Sequence, residues 1–402
     1  MPTAIETRSA DGAPPTGRKQ ADNMTSLKIG INGAGIGGLA AAIALRKLGM
    51  DVTVYEQAAR FARVGADINL TPNAVRALDG LGVGEALRET AARPTHRISR
   101  TWDTGEETSR LPMSDEAEQR YGAPQLTMHR ADLMTALEGA LPAANVKLGH
   151  KAVAIERNDN GTTVRFADGG EDKVDVLVGA DGIHSVVRTA LFGQESPIFT
   201  GVVAYRAVVP AERLAGVPNL NAFTKWWGTD PTSQIVTFPL NRGRDIFIFA
   251  TVAQESWRNE SWTTPGRVED LRSAYAGFHP EARALLDACD DVLISALYVR
   301  DPLPTWSDGH VTLMGDACHP MMPFMAQGAG MAIEDGVVLA RCLADAAQDG
   351  YAAVPSALAR YQRARHERTS RIQIGSRSNA WLKEGGNADW VYDYDAWNVA
   401  LG

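Results

Sequence analysis

The stretch from Leu27 to Gln57 constrains the fold of this chain more than any other part of its sequence. It reads LKIGINGAGIGGLAAAIALRKLGMDVTVYEQ, an alternating apolar run that leads into a G-x-G-x-x-G loop and then an apolar helical segment. In such a loop the first glycine permits a tight turn and the second lets backbone amides approach a pyrophosphate. The third lets the helix pack close to the strand. The stretch therefore predicts a strand, a loop, a helix and a second strand that together bind a dinucleotide.

Three glycines and one acid are the candidate ligands in this unit. The glycines are Gly33, Gly35 and Gly38, and Glu56 ends the second predicted strand 18 residues after Gly38. An acid at that distance accepts hydrogen bonds from an adenosine ribose and favours free hydroxyls over a 2′-phosphate. These residues predict FAD or NAD rather than NADP at this site. The alternative is a tight strand-to-helix turn that binds nothing.

Composition and charge restrict the class of protein. The 402 residues are 45% hydrophobic and 22% charged, which is ordinary for a globular protein, and no run approaches 18 uninterrupted apolar residues. We therefore expect no membrane association. The net charge of −8 offers no basic surplus for a nucleic acid. Three separated cysteines form neither a C-x-x-C pair nor a metal-ligand pattern, which predicts a reducing, cytoplasmic setting and no metal site.

Changes of texture along the chain predict an α/β fold with an inserted sheet. Residues 1–26 lack the apolar core of a signal peptide, and we expect a disordered extension there. Residues 200–300 contain successive β runs separated by turn residues, which favours a mainly antiparallel substrate domain. We expect 27–199 and 301–345 to form the two parts of a Rossmann-like dinucleotide-binding domain. A C-terminal helical region and an aromatic tail should fill 346–402, and the arginines from Arg360 to Arg371 predict a solvated helix face.

Two further predicted strands end in an acid. The strand VDVLVGAD ends at Asp181 and the strand VTLMGD ends at Asp316. The carboxyl ends of parallel strands point towards the ligand crevice of such a sheet. The segment QGAGMAIED then opens a helix whose small residues leave its N-terminal amides free. Arg130 lies at another predicted helix start, where it either meets a phosphate or is a surface cation.

Three separated segments together resemble one family. GAGIGG with Glu56, VGADGIHSVVR and LMGDACHPMMPFMAQGAGMAIED are similar to the fingerprints of single-component FAD-dependent aromatic hydroxylases, the group of the p-hydroxybenzoate and salicylate hydroxylases. The resemblance covers roughly residues 27–380. It implies an FAD-binding domain, NADH or NADPH and O2 as co-substrates, and hydroxylation of a small aromatic substrate through a flavin C4a-hydroperoxide. A monomer or a homodimer is expected.

The resemblance also implies roles for individual residues. Gly33, Gly35, Gly38 and Glu56 would hold the ADP half of FAD, and Arg63 and Arg130 would contact the cofactor. Asp181 would serve the pyrophosphate and the passage of the nicotinamide, and Asp316 would bind the ribityl hydroxyls. Gly328, Ala329 and Gly330 would approach the isoalloxazine ring, and Pro320 would line its reactive face.

The substrate expectation rests on finer resemblances. VAYRA, KWWG and DWVYDYD look most like the 6-hydroxynicotinate 3-monooxygenases, but Asn69 stands where those enzymes have a histidine. A phenol or a differently substituted hydroxypyridine is therefore expected as well. Tyr205 is the predicted base that activates the ring and Asn69 its orienter, with simple packing as the alternative for Tyr205. A hydroxylase that also removes a ring substituent and a non-catalytic flavin-binding scaffold are the remaining hypotheses.

Overall fold

Two main β-sheets and the helices that cover them form the part of the chain described by the computed structural model, residues 27–61, 67–158, 161–257, 263–383 and 386–401. The expected extension over 1–26 lies outside these residues. The strands are β1 (Lys28–Asn32), β2 (Asp51–Glu56), β3 (Ile68–Leu70), β4 (His96–Thr101), β5 (Glu107–Pro112), β6 (Leu126–Met128), β7 (Val146–Leu148), β8 (Ala152–Asn158), β9 (Gly161–Phe166), β10 (Glu171–Val174), β11 (Val176–Gly179), β12 (Ile198–Pro210), β13 (Phe223–Trp227), β14 (Gln234–Leu240), β15 (Asp245–Ala253), β16 (Thr264–Gly266), β17 (Val292–Val299), β18 (Ser307–Asp308) and β19 (Val311–Leu313). The helices are α1 (Ile36–Lys47), α2 (Pro72–Leu81), α3 (Gly84–Thr90), α4 (Asp115–Tyr121), α5 (Arg130–Gly139), α6 (Val186–Phe192), α7 (Val268–Ala274), α8 (Pro280–Asp287), α9 (Gly328–Asp349), α10 (Val354–Arg377) and α11 (Asp389–Tyr392).

The first sheet has the strand order β18-β19-β11-β1-β2-β7. All neighbouring pairs are parallel except β18 with β19. Helix α1, whose run LAAAIAL has high helix propensity, packs against α9 so closely that a Cβ on Gly336 would lie 2.7 Å from the amide nitrogen of Ala41. The predicted Rossmann-like unit around Leu27 to Gln57 is confirmed by β1, α1 and β2.

The second sheet has the order β16-β17-β12-β15-β14-β13-β4-β5. Its pairs are antiparallel except β13 with β4, which run parallel. Strands β4 and β5 come from residues 96–112, so the predicted confinement of this sheet to residues 200–300 needs correction. The sequence did not show this membership because both strands are rich in polar residues, and because β4 pairs with β13 from a part of the chain more than 100 residues later. The overall class, an α/β fold with a largely antiparallel inserted sheet, is confirmed.

The two faces of the second sheet have different surroundings. Its outer face packs against α7 and α8 through a cluster that includes Val203, Tyr205 and Tyr275. Its inner face carries Val202 and Ala204, which pack with Met322 and Phe324 of the segment before α9. We call the segment of residues 320–327 the flavin loop, after the role that the family resemblance implies for it, and we use inner face and outer face in this sense below.

The aromatic tail packs on the first sheet's helices. Trp397 donates its indole N–H to the carbonyl of Ala77 in α2 at 3.0 Å, and Tyr392 is fully buried. Among the described residues, no helix is both long and apolar enough to cross a membrane. The same residues contain no group of three or more histidine, cysteine or acidic side chains placed to hold a metal ion.

Candidate active site

The glycine loop follows β1 and turns the chain directly into α1. Gly33 has a φ of 109°, and a Cβ on it would lie 2.4 Å from the carbonyl oxygen of Ala180. A Cβ on Gly38 would lie 2.0 Å from the carbonyl oxygen of Gly33. Since neither position has room for a side chain, these glycines hold α1 against the strand ends.

Gly35 differs from Gly33 and Gly38, the other two glycines of the loop, because the space beside it is open. A Cβ placed there would meet no heavy atom of the described residues within 4 Å. Gly35 is the N-cap of α1 and brings no side chain to cap that helix. The amides of the first helical turn are therefore left for a ligand, and the helix N-terminus favours an anionic ligand such as a pyrophosphate.

Glu56 closes one side of this loop. One oxygen of its carboxylate accepts a hydrogen bond from the amide of Ala34 at 2.9 Å, and the other accepts one from the amide of Ala58 at 2.8 Å. A carboxylate has about four acceptor positions, so it keeps capacity for a further donor. Its place beside the loop is where a ribose hydroxyl of a bound dinucleotide would arrive.

The carboxylate of Asp181 accepts hydrogen bonds from groups of the protein itself. One oxygen accepts from the hydroxyl of Ser185 at 2.5 Å, and the other accepts from the side-chain amide of Asn32 and the backbone amide of Val186, both at 2.8 Å. These bonds join the ends of β1 and β11 to the start of α6. The expected contact of Asp181 with a pyrophosphate gains no support from this arrangement, in which Asp181 instead holds Asn32, the residue before Gly33.

Asp316 and Arg130 come together from distant parts of the chain. Asp316 follows β19 and its side chain is exposed, while Arg130 is the first residue of α5. The protein crowded around Asp316 raises the pKa of its carboxyl, and the nearby His319 and Arg130 act to lower it. An accessible acid with a cation close by, at the carboxyl end of a parallel strand, is suited to a ligand with hydroxyl groups and an adjacent phosphate.

Gly328, Ala329 and Gly330 open α9. The side chain of the N-cap residue Gln327 does not cap the helix. Its Nε2 donates instead to the hydroxyl of Thr71 at 2.8 Å, and its Oε1 accepts from the side-chain amide of Asn73 at 3.1 Å. These bonds fix the end of the flavin loop to the start of α2. The first-turn amides of α9 remain for a ligand, as expected for the electron-rich edge of a ring.

Two prolines of the flavin loop differ in exposure. Pro320 is buried, and its carbonyl accepts a hydrogen bond from Gln373 at 3.0 Å. Pro323 is exposed. The burial of Pro320 gives no support to its predicted position on the reactive face of the flavin, whereas the ring of Pro323 is accessible.

Tyr205 lies on the outer face of the second sheet, away from the flavin loop. It belongs to the cluster under α7, where its ring lies 3.2 Å from the Cβ position of Gly266, and Asp270 adds to the effect of burial in raising the pKa of its hydroxyl. This position gives no support to the prediction that Tyr205 is the catalytic base. Side chains alternate along a strand, so its neighbour Arg206 points to the opposite face.

Arg206 of the inner face and the nearby Asp67 are charged residues that were not predicted from the sequence. Its side chain lies on the inner face, where it donates to the hydroxyl of Ser295 at 2.8 Å and interacts electrostatically with Asp67. Burial raises the pKa of Asp67 to about 7, against the opposing effects of Arg206, Arg130 and His129. The signal for Arg206 was present as one cation in the apolar strand VVAYRAVV. Asp67 carried no comparable signal.

Asn69 and Gln125 form a buried amide pair beside this group. Gln125 donates to the amide oxygen of Asn69 at 2.7 Å. Within the described chain, the remaining Nδ2 of Asn69 and Oε1 of Gln125 are buried without a hydrogen-bond partner. Asn69 is in β3, which pairs with β6, and Thr127 of β6 bonds to the carbonyl of Pro239 in β14 at 2.6 Å. One unsatisfied donor and one unsatisfied acceptor thus lie next to the inner face.

Phenylalanine rings cover the middle of the inner face. Phe223 stacks on Phe238 at 5.4 Å between ring centroids, and Phe247 packs against Phe238 at 5.0 Å. Phe249 joins this cluster to Phe324 of the flavin loop. The result is a flat, apolar surface with polar groups at its margins, a combination typical of sites for small aromatic ligands.

A buried ionic network supports the flavin loop from behind. Arg365 is fully buried and donates to Asp335 at 2.8 Å and to Glu334 at 2.6 Å. His319 lies 2.6 Å from the same Asp335. Burial acts to raise the pKa of Asp335, but His319 and Arg365 lower it to about 2. The prediction of a solvated face is therefore wrong for Arg365, although Arg363 on the same helix is exposed.

The residues on these elements fit FAD. An open glycine loop at an uncapped helix N-terminus suits a pyrophosphate, Glu56 suits a ribose, and a second uncapped helix at Gly328 lies behind an exposed acid. Arg63, the remaining expected cofactor residue, lies outside the described residues.

Comparisons with known proteins identify the family of the chain. Residues 26–374 match the family model described as FAD binding domain. The chain is 40% identical to 6-hydroxynicotinate 3-monooxygenase of Pseudomonas fluorescens, covering 94% of this chain and 97% of that one. It is 37% identical to 3-hydroxybenzoate 6-hydroxylase of Polaromonas naphthalenivorans, covering 94% and 93%. A solved salicylate hydroxylase–substrate complex superposes with a TM-score of 0.81 at 28% identity, over 93% of this chain and 97% of that one. This chain therefore belongs to the FAD binding domain family, as an FAD-dependent monooxygenase that hydroxylates phenolic or heteroaromatic rings.

Proposed function

We propose that the substrate is a flat ring with an ionisable hydroxyl, a hydroxypyridine of the 6-hydroxynicotinate kind or a phenol, bound between the inner face and the flavin loop. The phenylalanine surface opposite Phe324 carries this proposal, because it can sandwich a planar ring and exclude water from it. FAD, when bound, supplies oxygen transfer to the ring at the expense of NADH or NADPH and O2. The chain's task is then to hold both partners and to manage one proton.

The cofactor roles that we propose follow the geometry of each residue. Gly35 and the first turn of α1 would receive the pyrophosphate, with Gly33 and Gly38 setting the loop and Glu56 taking the ribose. Arg130 and Asp316 would hold the chain between phosphate and ring, and Gly328, Ala329 and Gly330 would present their amides to the ring edge. Asp181 would act through the loop, and Pro323 rather than Pro320 would face the ring.

Two groups would act on the substrate. Asn69 and Gln125 offer one unsatisfied donor and one unsatisfied acceptor, which suit a ring hydroxyl and a neighbouring ring atom. Asp67 has its pKa near neutrality, which suits a group that must take up a phenolic proton during turnover. Loss of that proton makes the ring carbon electron-rich enough to be attacked.

We further propose that the enzyme works in the cytoplasm as a monomer or a homodimer. All three cysteines, Cys289, Cys318 and Cys342, are buried free thiols, which fits a reducing compartment.

Anaerobic reduction of the flavoprotein tests the proposal. NADH and NADPH are mixed in turn with the enzyme, with and without 6-hydroxynicotinate, 3-hydroxybenzoate, salicylate and unsubstituted phenol, while flavin bleaching is followed. We expect at least one hydroxylated ring to accelerate bleaching and, in air, to yield a hydroxylated product. A flavoprotein that responds to none of these rings would instead support a scaffold without hydroxylase activity.

A further inference from the structure

A lysine without a counter-ion is buried on the inner face of the second sheet. Lys225 in β13 is only 3% exposed, and its ammonium donates to the amide oxygen of Asn379 at 2.5 Å. The ammonium lies 3.7 Å from the centroid of the Trp227 ring and 5.7 Å from that of Phe324 in the flavin loop. No carboxylate of the described residues pairs with it. Lys225 therefore borders the proposed ring site with an amine that only neutral groups solvate.

Arg97 is a second buried cation on the same face. Arg97 in β4 lies opposite Phe223 in β13, and Phe223 precedes Lys225 by two residues on the same face of that strand. Its guanidinium carbon lies 4.7 Å from the Phe223 ring centroid and 4.8 Å from that of Trp381, and the residue is 5% exposed. Among the described residues its Nη1 has no hydrogen-bond partner. The buried Tyr392 also interacts electrostatically with the guanidinium. Because aromatic rings cover its faces, the Nη1 donor can only be met in the guanidinium plane.

A small cavity adjoins Arg97. Its volume is about 120 Å³, and it lies between β4, β5 and the segment that follows α10. The lining residues are Arg97, Ser109, Arg110, Leu111, Leu382 and Gly386. Arg110 is already paired with Glu107 at 2.6 Å, whereas Arg97 has an unused donor. The cavity beside the Arg97 side chain has both polar and apolar walls and is large enough for a carboxylate group.

The charge balance of this region is incomplete without an anion. Burial lowers the pKa of Lys225 well below its ordinary value, and the nearby Arg97 and Lys383 lower it further. These are the charged groups that act on Lys225 from β4 and from the segment after α10. Burying unpaired cations is costly, and an anion arriving beside them removes that cost.

We propose that Lys225 and Arg97 form the subsite that binds the carboxylate of the aromatic substrate. This inference rests on the proposed function, since it places the ring against the phenylalanine surface with its carboxylate at the β4–β13 end. Arg97 can offer an in-plane donor, and Lys225 a point charge at the junction of sheet and flavin loop. The hydroxyl of the ring then lies towards the other margin, where Asn69, Gln125 and Asp67 are found.

Calorimetric titration of the FAD-loaded enzyme with benzoate, and with neutral benzamide of the same shape, tests the subsite. Loss of a hydrogen bond to a charged group corresponds to roughly a tenfold to hundredfold weaker affinity. We expect such a loss for benzoate in Lys225→Met and in Arg97→Gln, with benzamide binding changed less than threefold. Arg213→Met removes an exposed cation of the same domain that pairs with Asp290 on the outer side, and serves as the matched control.

Proton uptake gives a readout that a purely structural role would not move. Titrations in two buffers of different ionisation enthalpy should show net uptake when benzoate binds to the wild type, because the ligand favours the charged form of Lys225. Uptake should vanish in Lys225→Met and persist in Arg213→Met. Lys225→Gln keeps a polar end group without the charge, and replaces Lys225→Met if the latter does not fold.

The outcomes separate this inference from the proposed function. Equal benzoate affinity in the wild type and the Lys225 variants, or parallel losses for benzoate and benzamide, would overturn the subsite whatever the enzyme hydroxylates. Competition between benzoate and the ring that accelerates flavin bleaching supports a shared carboxylate site, whereas simultaneous binding of both overturns it. If no ring accelerates bleaching but benzoate binding still requires Lys225, the anion site stands and the hydroxylase assignment fails.

Discussion

Asp67 is an acid whose surroundings move its titration into the neutral range. Burial raises its pKa to about 7, although Arg206, Arg130 and His129 favour the ionised form. A base must be ionised to accept a proton, so the single-turnover hydroxylation rate should rise with pH through about 7. Asp67→Asn should lower the rate about tenfold to a thousandfold at pH 8 and remove this inflection. Stopped-flow measurement with preformed reduced enzyme checks both expectations.

The control for Asp67 is the reductive half-reaction. Flavin reduction by NADH should keep most of its rate in Asp67→Asn, because the variant changes a substrate-side proton acceptor. An inflection near pH 7 that survives in Asp67→Asn would assign the titration to another group.

Substitution of Tyr205, unlike that of Asp67, should leave the hydroxylation rate almost unchanged. Its hydroxyl lies under α7 on the outer face, so Tyr205→Phe should leave single-turnover hydroxylation within about twofold of the wild type and change stability by less than ~1 kcal/mol. Rapid-quench product analysis and urea unfolding measure the two quantities. A hundredfold slower hydroxylation in a stably folded variant would return Tyr205 to the mechanism.

The case of Tyr205 shows what a strand sequence leaves open. Alternation establishes that Tyr205 and Arg206 point in opposite directions, but the run around them is apolar on both sides. Which side meets the flavin loop depends on α7 and α8, which follow more than 50 residues later. Sequence periodicity alone could therefore identify the pair without choosing between its members.

At the scale of elements, the glycine loop contains one glycine required for packing, Gly38, and one proposed for binding the cofactor, Gly35. Gly38→Ala places a methyl group 2.0 Å from the carbonyl oxygen of Gly33 and should prevent stable folding of the domain. Gly35→Ala meets open space, so the flavin-free protein should keep its stability within ~1 kcal/mol. Its FAD affinity should fall about tenfold or more, because the methyl group occupies the approach to the amides of α1. Flavin fluorescence titration and urea unfolding distinguish these effects; equal damage from both variants would contradict the assignment.

Helices α9 and α10 are joined by ion pairs that local sequence cannot show. Arg365 sits in a polar run typical of a solvated face, yet its partners Glu334 and Asp335 lie about 30 residues earlier and bury it completely. The glycine loop was readable because its ligand amides and its constraints are local. The network was not, because its members pair only after the helices pack.

Removing one member of this network should be costly. Arg365→Met leaves two buried carboxylates short of a partner and should lower the free energy of unfolding by roughly 3–5 kcal/mol. Arg363→Met, on the exposed side of the same helix, should change it by less than ~0.5 kcal/mol. Urea unfolding of both FAD-saturated variants measures the difference, and similar midpoints would show that the network contributes little.

For the whole molecule, the ring site depends on parts of the chain that are far apart in sequence. The sequence predicted the two sheets and the cofactor elements, since each follows from local patterns. It did not predict that β4 and β5 complete the second sheet, nor that the segment after α10 reaches Lys225 through Asn379. Both features arise from long-range pairing, for which a single polar edge strand or a single asparagine gives no signal.

The aromatic tail completes this assembly and can be tested as a unit. Arg368 of α10 donates to the carbonyls of Trp390 and Val391, both at 2.8 Å, and Trp397 bonds to α2. A chain that ends at residue 385 should lose about 3 kcal/mol or more of unfolding free energy, because it exposes buried aromatic surface and unpairs Arg368. Its FAD affinity should fall as well, since α2 and α10 hold the flavin loop. A chain that ends at Val399 keeps these contacts and should match the full-length protein in urea midpoint and flavin titration. If the shorter chain also matched it, the tail would have no part in supporting the cofactor site.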